Sequence, residues 1–223
     1  MTNYTPKKKK PKVIGLKQLM QKQYDLLTDL PKEIERSFGE LVSNFIMIVW
    51  AASGSGKSNF IYQFLGMLMK YGSVLYISLE EGTEKSAQML ALRHLNEASH
   101  GGKILFADHE MKYAEACEYL KRKKSPRFVV IDSVQYWDIN YPRYKDLKAM
   151  FPKKAFIFIS HASGKNPDGK TADKIRYDAG IKVRVEGYVA FPISRYGGNK
   201  PYIVWEEGAE KYWSKRKLNQ LKK

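Results

Sequence analysis

Apolar residues in this chain form short continuous runs that alternate with segments of helical spacing. Five runs rich in β-branched and aromatic residues predict strands buried on both faces, at residues 44–50, 73–79, 103–107, 127–132 and 154–160. Between these runs, apolar residues repeat at helical spacing and predict helices at 57–70, 84–98 and 112–123. Strands that alternate with helices indicate an α/β fold with a mostly parallel central sheet.

The two ends of the chain have a different pattern. Residues 181–187, 188–195 and 201–207 predict neighbouring strands joined by short turns, hence an antiparallel C-terminal extension at the sheet edge. Apolar residues in 14–30 are spaced as in a helix, which we expect to pack on the main domain or on a neighbouring subunit.

The chain divides into one large domain and basic ends. Residues 1–13 carry a lysine run with flanking prolines, so we expect a disordered basic arm. Residues 214–223 are predicted to be a basic tail. No internal repeat or linker divides the rest, and 31–213 is therefore predicted to be one domain.

Composition adds a strong positive charge to this picture. The 223 residues include 39 Lys and Arg against 23 Asp and Glu, a formal net charge of +16. Such an excess favours a polyanionic partner such as nucleic acid or an anionic membrane surface, although lysine-rich solvated faces would give the same count. The single cysteine, Cys117, excludes an internal disulfide and fits a reducing cytosol.

Membrane insertion and export are not expected. No apolar run reaches the roughly 20 residues of a membrane span. No apolar signal segment follows the basic start, so the expected location is cytoplasmic.

The segment "AASGSGKS", residues 51–58, comes close to the phosphate-loop pattern G-x-x-x-x-G-K-[ST] but begins with Ala51. A predicted strand precedes it and a predicted helix follows, so backbone N–H groups and the helix N-terminus could bind phosphates of ATP. Lys57 would reach the β- and γ-phosphates, and the Ser58 hydroxyl would ligate Mg²⁺. The predicted nucleotide-binding residues are Ser53, Gly54, Ser55, Gly56, Lys57, Ser58 and Asn59.

Carboxylates at the ends of other predicted strands complete the candidate chemistry. Asp132 ends a buried strand and is the expected second contributor to the Mg²⁺ shell. Glu80 follows the strand 73–79 and is the candidate general base that orients water. For the adjacent Glu81 we expect no catalytic role; an acidic residue there is explained by the preference for negative charge at a helix N-terminus.

Five segments in order, the phosphate loop, "YISLEE", "VVIDSV", "IFISHASGK" and "SRYGG", resemble the ATPase core shared by RecA, the RadA repair ATPases and DnaB-type replicative helicases. The resemblance covers residues 40–213 and implies a three-layer RecA-like P-loop NTPase fold. It implies that Glu80 activates water and that His161 senses the γ-phosphate. It also implies a ring or filament homo-oligomer in which Arg195 reaches a neighbour's phosphate.

One residue departs from this resemblance. Ile193 stands where the family usually has a lysine, two positions before Arg195. Three readings stay open: Arg195 acts alone, another cation such as Lys200 substitutes, or the contact between subunits has been lost.

The segment 161–180 is glycine-rich and is predicted to be a loop that contacts single-stranded DNA through phosphates. Its candidate DNA-binding residues are Lys165, Lys170, Lys174 and Arg176. A second candidate, 134–145, interleaves aromatic and basic residues, but its aromatic side chains could equally pack beneath the loop or at a subunit interface.

The leading functional hypothesis is an Mg-ATP-dependent ATPase that acts on DNA in replication, recombination or repair. One alternative is an ATP-gated binding module with little hydrolysis, which the departure at Ile193 favours. A small-molecule kinase is a weaker alternative, because the sequence contains no arginine-rich lid segment.

Overall fold

The computed structural model describes residues 13–95 and 104–222. The predicted basic arm, apart from Val13, lies outside this part of the chain, as do residues 96–98 of the predicted second helix and residue 103 of the predicted third strand.

A mixed sheet forms the centre of the molecule. Its strands are β1 (Ile46–Ala51), β2 (Val74–Ser78), β3 (Ile104–Ala107), β4 (Phe128–Asp132), β5 (Ala155–Ser163), β6 (Asn166–Pro167), β7 (Ile181–Glu186), β8 (Val189–Ser194) and β9 (Tyr202–Ile203). The order is β3-β2-β4-β5-β1-β7-β8-β9, and β6 pairs with β5. All pairs from β3 to β7 are parallel, whereas β8 and β9 are antiparallel to their neighbours. The predicted α/β fold with an antiparallel C-terminal extension is confirmed.

Helices cover both faces of the sheet. They are α1 (Leu16–Met20), α2 (Lys32–Phe38), α3 (Lys57–Leu68), α4 (Lys85–His94), α5 (Tyr113–Leu120), α6 (Tyr141–Met150), α7 (Lys170–Asp178), α8 (Glu206–Trp213) and α9 (Lys215–Leu221). Alternate residues of β1 enter different cores: Met47 and Val49 pack with α2 and α3, while Ile48 and Trp50 pack with α5 to α7. This alternation produces the three predicted layers.

Aromatic rings fill the core between the sheet and α3. Phe64 is buried, and its ring centroid lies 5.4 Å from that of Phe38, 6.2 Å from Phe45 and 5.9 Å from Phe60. These contacts fix α3 against β1, and they therefore fix the loop that joins the two elements.

At the chain ends, the predicted helix at 14–30 is wrong in part, and the basic tail is partly folded. Only Leu16–Met20 of the predicted helix 14–30 is helical, and Leu26 pairs instead with Val42 in an isolated β-bridge. The predicted basic tail contains α9, whose Leu218 is buried against Val189 and Ala209. Leu27 in the first segment and Leu218 in the second are buried and anchor them, which neither helical spacing nor a count of charges reveals.

The segment 161–180 is also not the loop that its glycines predicted. Residues 161–163 extend β5, which turns back into β6, and α7 follows directly. Ala172 and Ile175 of α7 are buried and hold the helix on the sheet. Within the described part of the chain, no helix is long and apolar enough to cross a membrane.

Candidate functional site

The phosphate-loop pattern lies between β1 and α3, as predicted. Ala51 is the last residue of β1 and pairs in register with His161 of β5, so its backbone is extended and does not require glycine. The left-handed backbone falls further on, at Gly54 (φ 74°) and at Gly56 (φ 92°), which is the N-cap of α3. The alanine at the first position is therefore compatible with the loop.

Tyr188 packs on the phosphate loop, and the sequence did not predict this contact. With Gly187 it forms the tight turn between β7 and β8, and both residues have positive φ. The Tyr188 backbone N–H donates to the Ser55 carbonyl oxygen at 3.0 Å. A Cβ atom on Gly56 would lie 2.7 Å from Tyr188 Cδ1, so the hairpin tip rests directly on the loop.

The strand order brings the other predicted site residues to the same edge. Strand β5 lies between β1 and β4, and β2 lies on the other side of β4, so the carboxyl ends of all four strands meet. They border a cleft of about 450 Å³ lined by Ala51, Ala52, Ser53, Gly54, Gly56, Lys57, Ser58, Asn59, Glu80, Glu81, Asp132, His161, Ala162 and Tyr188. Of the predicted nucleotide-binding residues, only Ser55 does not line the cleft; its carbonyl oxygen accepts from the Tyr188 N–H of the hairpin.

Asp132 is a candidate ligand for a divalent cation. Its Oδ2 accepts a hydrogen bond from the Tyr76 hydroxyl at 2.6 Å, while its buried Oδ1 has no partner among the described residues. Burial raises the pKa of Asp132, and the Lys57 charge and the Tyr76 hydrogen bond oppose that rise.

The oxygen donors around Asp132 fit Mg²⁺ rather than a soft metal. Within the described residues, no group of three or more His, Cys, Asp or Glu side chains could hold a metal ion. A site with one carboxylate and the Ser58 hydroxyl suits Mg²⁺, which commonly binds through one or two protein oxygens, substrate phosphates and water.

Glu80 and His161 form a hydrogen-bonded pair above this edge. His161 Nε2 lies 3.0 Å from Glu80 Oε2, and the exposed Tyr136 packs edge-on against the imidazole with ring centroids 5.9 Å apart. The neighbouring Glu81 instead accepts from the Ser86 hydroxyl in the first turn of α4, at 3.1 Å. The geometry therefore separates the two glutamates: Glu80 bonds to His161, and Glu81 bonds to the first turn of α4.

A second cleft of about 510 Å³ adjoins the first and was not predicted. It is lined by Asn59, Gln63, Arg93, His94, Tyr188, Val204 and Trp205. Tyr188 borders both clefts and meets Trp205 edge to face, with ring centroids 5.0 Å apart. His94 Nε2 hydrogen-bonds Asn59 Oδ1 at 2.8 Å, and burial together with the Arg93 charge lowers the pKa of His94.

Arg195 lines neither of these two clefts. Strand β8 runs away from the loop, and the Arg195 backbone N–H donates to Gly180 at the amino end of β7. The Arg195 guanidinium donates to the Tyr177 carbonyl oxygen at 3.2 Å. The arginine and the phosphate loop therefore stand at opposite ends of the sheet.

The four predicted DNA-binding residues lie together on the β5–β6 hairpin and α7 but differ in their surroundings. Lys165 sits at the hairpin tip, and its carbonyl oxygen accepts from Trp50 Nε1 at 3.0 Å. Lys170 is exposed at the start of α7, and the Lys174 ammonium lies 5.6 Å from the centroid of the Tyr141 ring. Arg176 is paired with Asp173.

The second aromatic segment, 134–145, is mostly part of the core. Trp137 and Tyr144 are fully buried, whereas Tyr136 is half-exposed. The reading in which these side chains pack beneath the surface is therefore correct for the two largest buried rings.

Comparisons with known proteins give the fold and little else. No protein-family model matches the sequence, and no curated protein matches it. Among solved structures, the flagellar accessory protein FlaH from Methanocaldococcus jannaschii is 18% identical with a TM-score of 0.58, covering 77% of this chain and 88% of FlaH. A KaiC-like protein from Pyrococcus horikoshii is 16% identical with a TM-score of 0.56, covering 78% of this chain and 88% of that protein. The chain therefore has the RecA-like fold of P-loop ATPases.

Proposed function

We propose that this chain binds Mg-ATP and hydrolyses it. The observation that carries the proposal is the common position of Lys57, Glu80 and the Asp132 Oδ1, which has no partner among the described residues, at the edge where the loop meets the sheet. A lysine, a magnesium-binding carboxylate and a water-orienting residue are among the groups that P-loop enzymes use for phosphoryl transfer to water.

Each residue has a separate task in this mechanism. The backbone N–H groups from Gly54 to Ser58 hold the phosphates, and Lys57 neutralises charge that develops on the transferred group. Ser58 and Asp132 would hold Mg²⁺, which when bound offsets the negative charge of the phosphates. Glu80 accepts a hydrogen bond from the attacking water, and His161 holds the Glu80 carboxylate in place through the 3.0 Å contact.

The second cleft supports a site for the nucleobase. It continues from Asn59 away from the phosphate loop, and Tyr188 and Trp205 offer aromatic surface. Arg93 can stack on the opposite face of a base. A planar heterocycle attached to the phosphates would thus extend under the β7–β8 turn.

Replacement of Lys57 by alanine tests the proposal. We expect Lys57→Ala to lower turnover of ATP by at least about 100-fold. Lys70→Ala, at an exposed position just after α3, is the matched control and should keep wild-type turnover. If the wild-type chain releases phosphate from ATP and Lys57→Ala does so at the same rate, the assignment is wrong.

We further propose that the chain acts as a homo-oligomer in which Arg195 serves a neighbouring subunit. Its distance from the phosphate loop of the same chain supports this, since a guanidinium at the amino end of β7 cannot reach its own γ-phosphate. Light scattering with and without ATP measures assembly, and a chain that stays monomeric during active turnover would refute this part.

Single-stranded DNA is the proposed partner that couples to hydrolysis. Lys165 and Lys170 are exposed on the segment that continues from His161, and the half-exposed Tyr136 packs against the His161 ring, so a strand held there would lie close to the Glu80–His161 pair. We expect single-stranded DNA to stimulate the wild-type ATPase and the Lys170→Ala/Lys174→Ala variant to need more DNA for the same stimulation. An unstimulated ATPase would exclude the DNA-coupled reading.

The alternative is an ATP-gated binding module. The direct Glu80–His161 hydrogen bond favours it, because a carboxylate already engaged by an imidazole is a poorer acceptor for water. Very slow turnover that DNA does not change, together with ATP-dependent capture of a partner protein, would select this function.

A further inference from the structure

Lys182 on β7 lies next to Ile193, the position at which the family usually has a lysine. Lys182 pairs directly with Ile193 across the antiparallel β7–β8 ladder. Side chains of directly paired residues point to the same face, and so do those two positions apart on one strand. Lys182 and Ile193 therefore share one face at the amino end of β7 and the carboxyl end of β8. Arg195 follows immediately after β8 ends, and its backbone N–H still bonds across to the Gly180 carbonyl oxygen.

The surroundings of Lys182 hold an excess of positive charge. Its ammonium group makes no hydrogen bond or ion pair with any residue in the described ranges. Partial burial lowers the pKa of Lys182, and so do the charges of Arg195 and Arg176. Cations this close to one another destabilise a surface unless an anion joins them.

The nearby acidic side chains do not serve Lys182. Asp173 is bonded to Arg176 through both guanidinium Nε and Nη2, at 3.0 and 2.8 Å. Asp178 accepts from the Tyr144 hydroxyl and from Lys148. An anion that binds Lys182 must therefore come from another molecule.

We propose that Lys182 supplies the cation missing at position 193, and that Lys182, Ile193 and Arg195 together dock on the nucleotide cleft of a second copy of this chain. This inference rests on the proposed function, because the anion it requires is the terminal phosphate of the nucleotide held by that copy.

Charge and polarity at the two surfaces are complementary. Among the described residues that line the cleft, Lys57 supplies the one permanent positive charge against three carboxylates. The opposing surface supplies two cations around Ile193, which is 64% exposed. An exposed isoleucine between two cations is typical of a contact that buries an apolar centre and directs charges at its rim.

The fixed position of Arg195 supports the same arrangement. Its guanidinium donates to the Tyr177 carbonyl oxygen in the last turn of α7, where positive charge is favoured. This hydrogen bond limits how far the Arg195 side chain can move towards the phosphate of a second copy. A second cation on the neighbouring strand can therefore complete the contact with that phosphate. Lys182 would thus touch the phosphate directly.

Three variants test the role of Lys182. Lys182→Met keeps the length of the apolar stem and should lower kcat roughly 100-fold, with a smaller change in KM. Adding Ile193→Lys to Lys182→Met returns a cation to the same face and should restore most of the lost turnover. Lys153→Ala, at an exposed lysine just before β5 at the same end of the sheet, is the matched control and should behave like wild type.

Mixing variants distinguishes a contact between subunits from one within a subunit. Lys182→Met keeps an intact phosphate loop, while Lys57→Ala keeps an intact docking surface, so a mixed oligomer contains complete sites. With random assortment of neighbours, an equal mixture should recover about a quarter of the wild-type rate. Recovery supports the proposal, whereas a mixture that stays as inactive as its components overturns it.

The remaining outcomes also decide the question. Wild-type turnover in Lys182→Met would overturn the inference while leaving the ATPase proposal intact. A wild-type chain that does not hydrolyse ATP would overturn the proposed ATPase. The inference would then require that ATP-dependent self-association, measured by light scattering, is weaker in Lys182→Met than in the wild type.

Calorimetric titration of inorganic phosphate into nucleotide-free protein tests whether Lys182 binds free phosphate instead. Lys182→Met should bind phosphate as the wild type does. If Lys182→Met loses phosphate binding but keeps its turnover, Lys182 belongs to a free-phosphate site, and the contact with a second copy is overturned.

Discussion

Gly56 and Tyr188 form a contact whose energy can be measured separately from the backbone strain at the same residue. Gly56 has φ 92°, a value that costs alanine about 1–2 kcal/mol. The added Cβ would lie 2.7 Å from Tyr188 Cδ1, whereas a relaxed carbon–carbon contact is about 3.5–4.0 Å. The tyrosine ring must therefore move by about 1 Å and give up part of its packing on Trp205, at a further cost of about 1 kcal/mol.

Gly54 provides the matched control for the steric part. It has φ 74°, yet no atom lies within 4 Å of the place that an alanine Cβ would take there. We expect Gly56→Ala to lower the free energy of unfolding by about 2–3 kcal/mol and Gly54→Ala by about 1–2 kcal/mol. Combined with Tyr188→Ala, the Gly56 variant should show a coupling of about 1 kcal/mol, while the Gly54 variant should show almost none.

The assay is urea unfolding without nucleotide, followed by fluorescence, on the two single glycine variants, Tyr188→Ala and both double variants. Nucleotide affinity is measured in parallel by calorimetry, and Gly56→Ala should bind ATP at least about tenfold more weakly, because the displaced hairpin disturbs the loop. Equal coupling of Gly54 and Gly56 to Tyr188 would refute the contact that places the hairpin tip on the loop.

Further predictions concern the core, a buried tyrosine and the proposed general base. Phe64→Ala should lower the free energy of unfolding by about 3–5 kcal/mol in urea titrations, because four aromatic rings meet there. Tyr144→Phe should cost about 1 kcal/mol near pH 7. Burial raises the pKa of Asp178, but hydrogen bonds from Lys148 and Tyr144 lower it overall; the cost should therefore vanish as pH falls through the folded pKa, in unfolding measured from pH 7 to 3. Glu80→Gln should slow ATP turnover by about 10²–10⁴-fold while calorimetry still detects ATP binding.

The parts of the site that sequence could predict are continuous in the chain. The loop from Ala51 to Ser58 lies between a strand and a helix that are adjacent to it in the sequence. Its backbone could therefore be predicted position by position. Asp132 and Glu80 each end or follow a buried apolar run, and the carboxyl ends of parallel strands meet at one edge. Local pattern and sheet geometry were therefore enough to bring these groups together.

Tyr188 shows why the rest could not be predicted. Its sequence neighbourhood indicates a tight turn, but the position of that turn over Gly56 depends on how β7 pairs with β1. The second cleft depends on the same pairing. The prediction of a loop at 161–180 was wrong for a related reason. The buried side chains of Ala172 and Ile175 pack part of this glycine-rich segment on the sheet as a helix.

The same limit applies to the departure at Ile193, and there it changes the functional argument. Along the chain, isoleucine in place of lysine reads as the loss of a charge next to Arg195. Across the sheet, the partner of Ile193 is Lys182, eleven residues earlier, and a register shift of one residue would have placed it on the opposite face. A cation contributed by the neighbouring strand satisfies the same electrostatic requirement as one on the arginine's own strand, because a phosphate responds to where the charge lies and not to which strand carries it. The substitution at 193 is therefore consistent with a retained contact between subunits, and Lys182 is the residue on which that contact should depend.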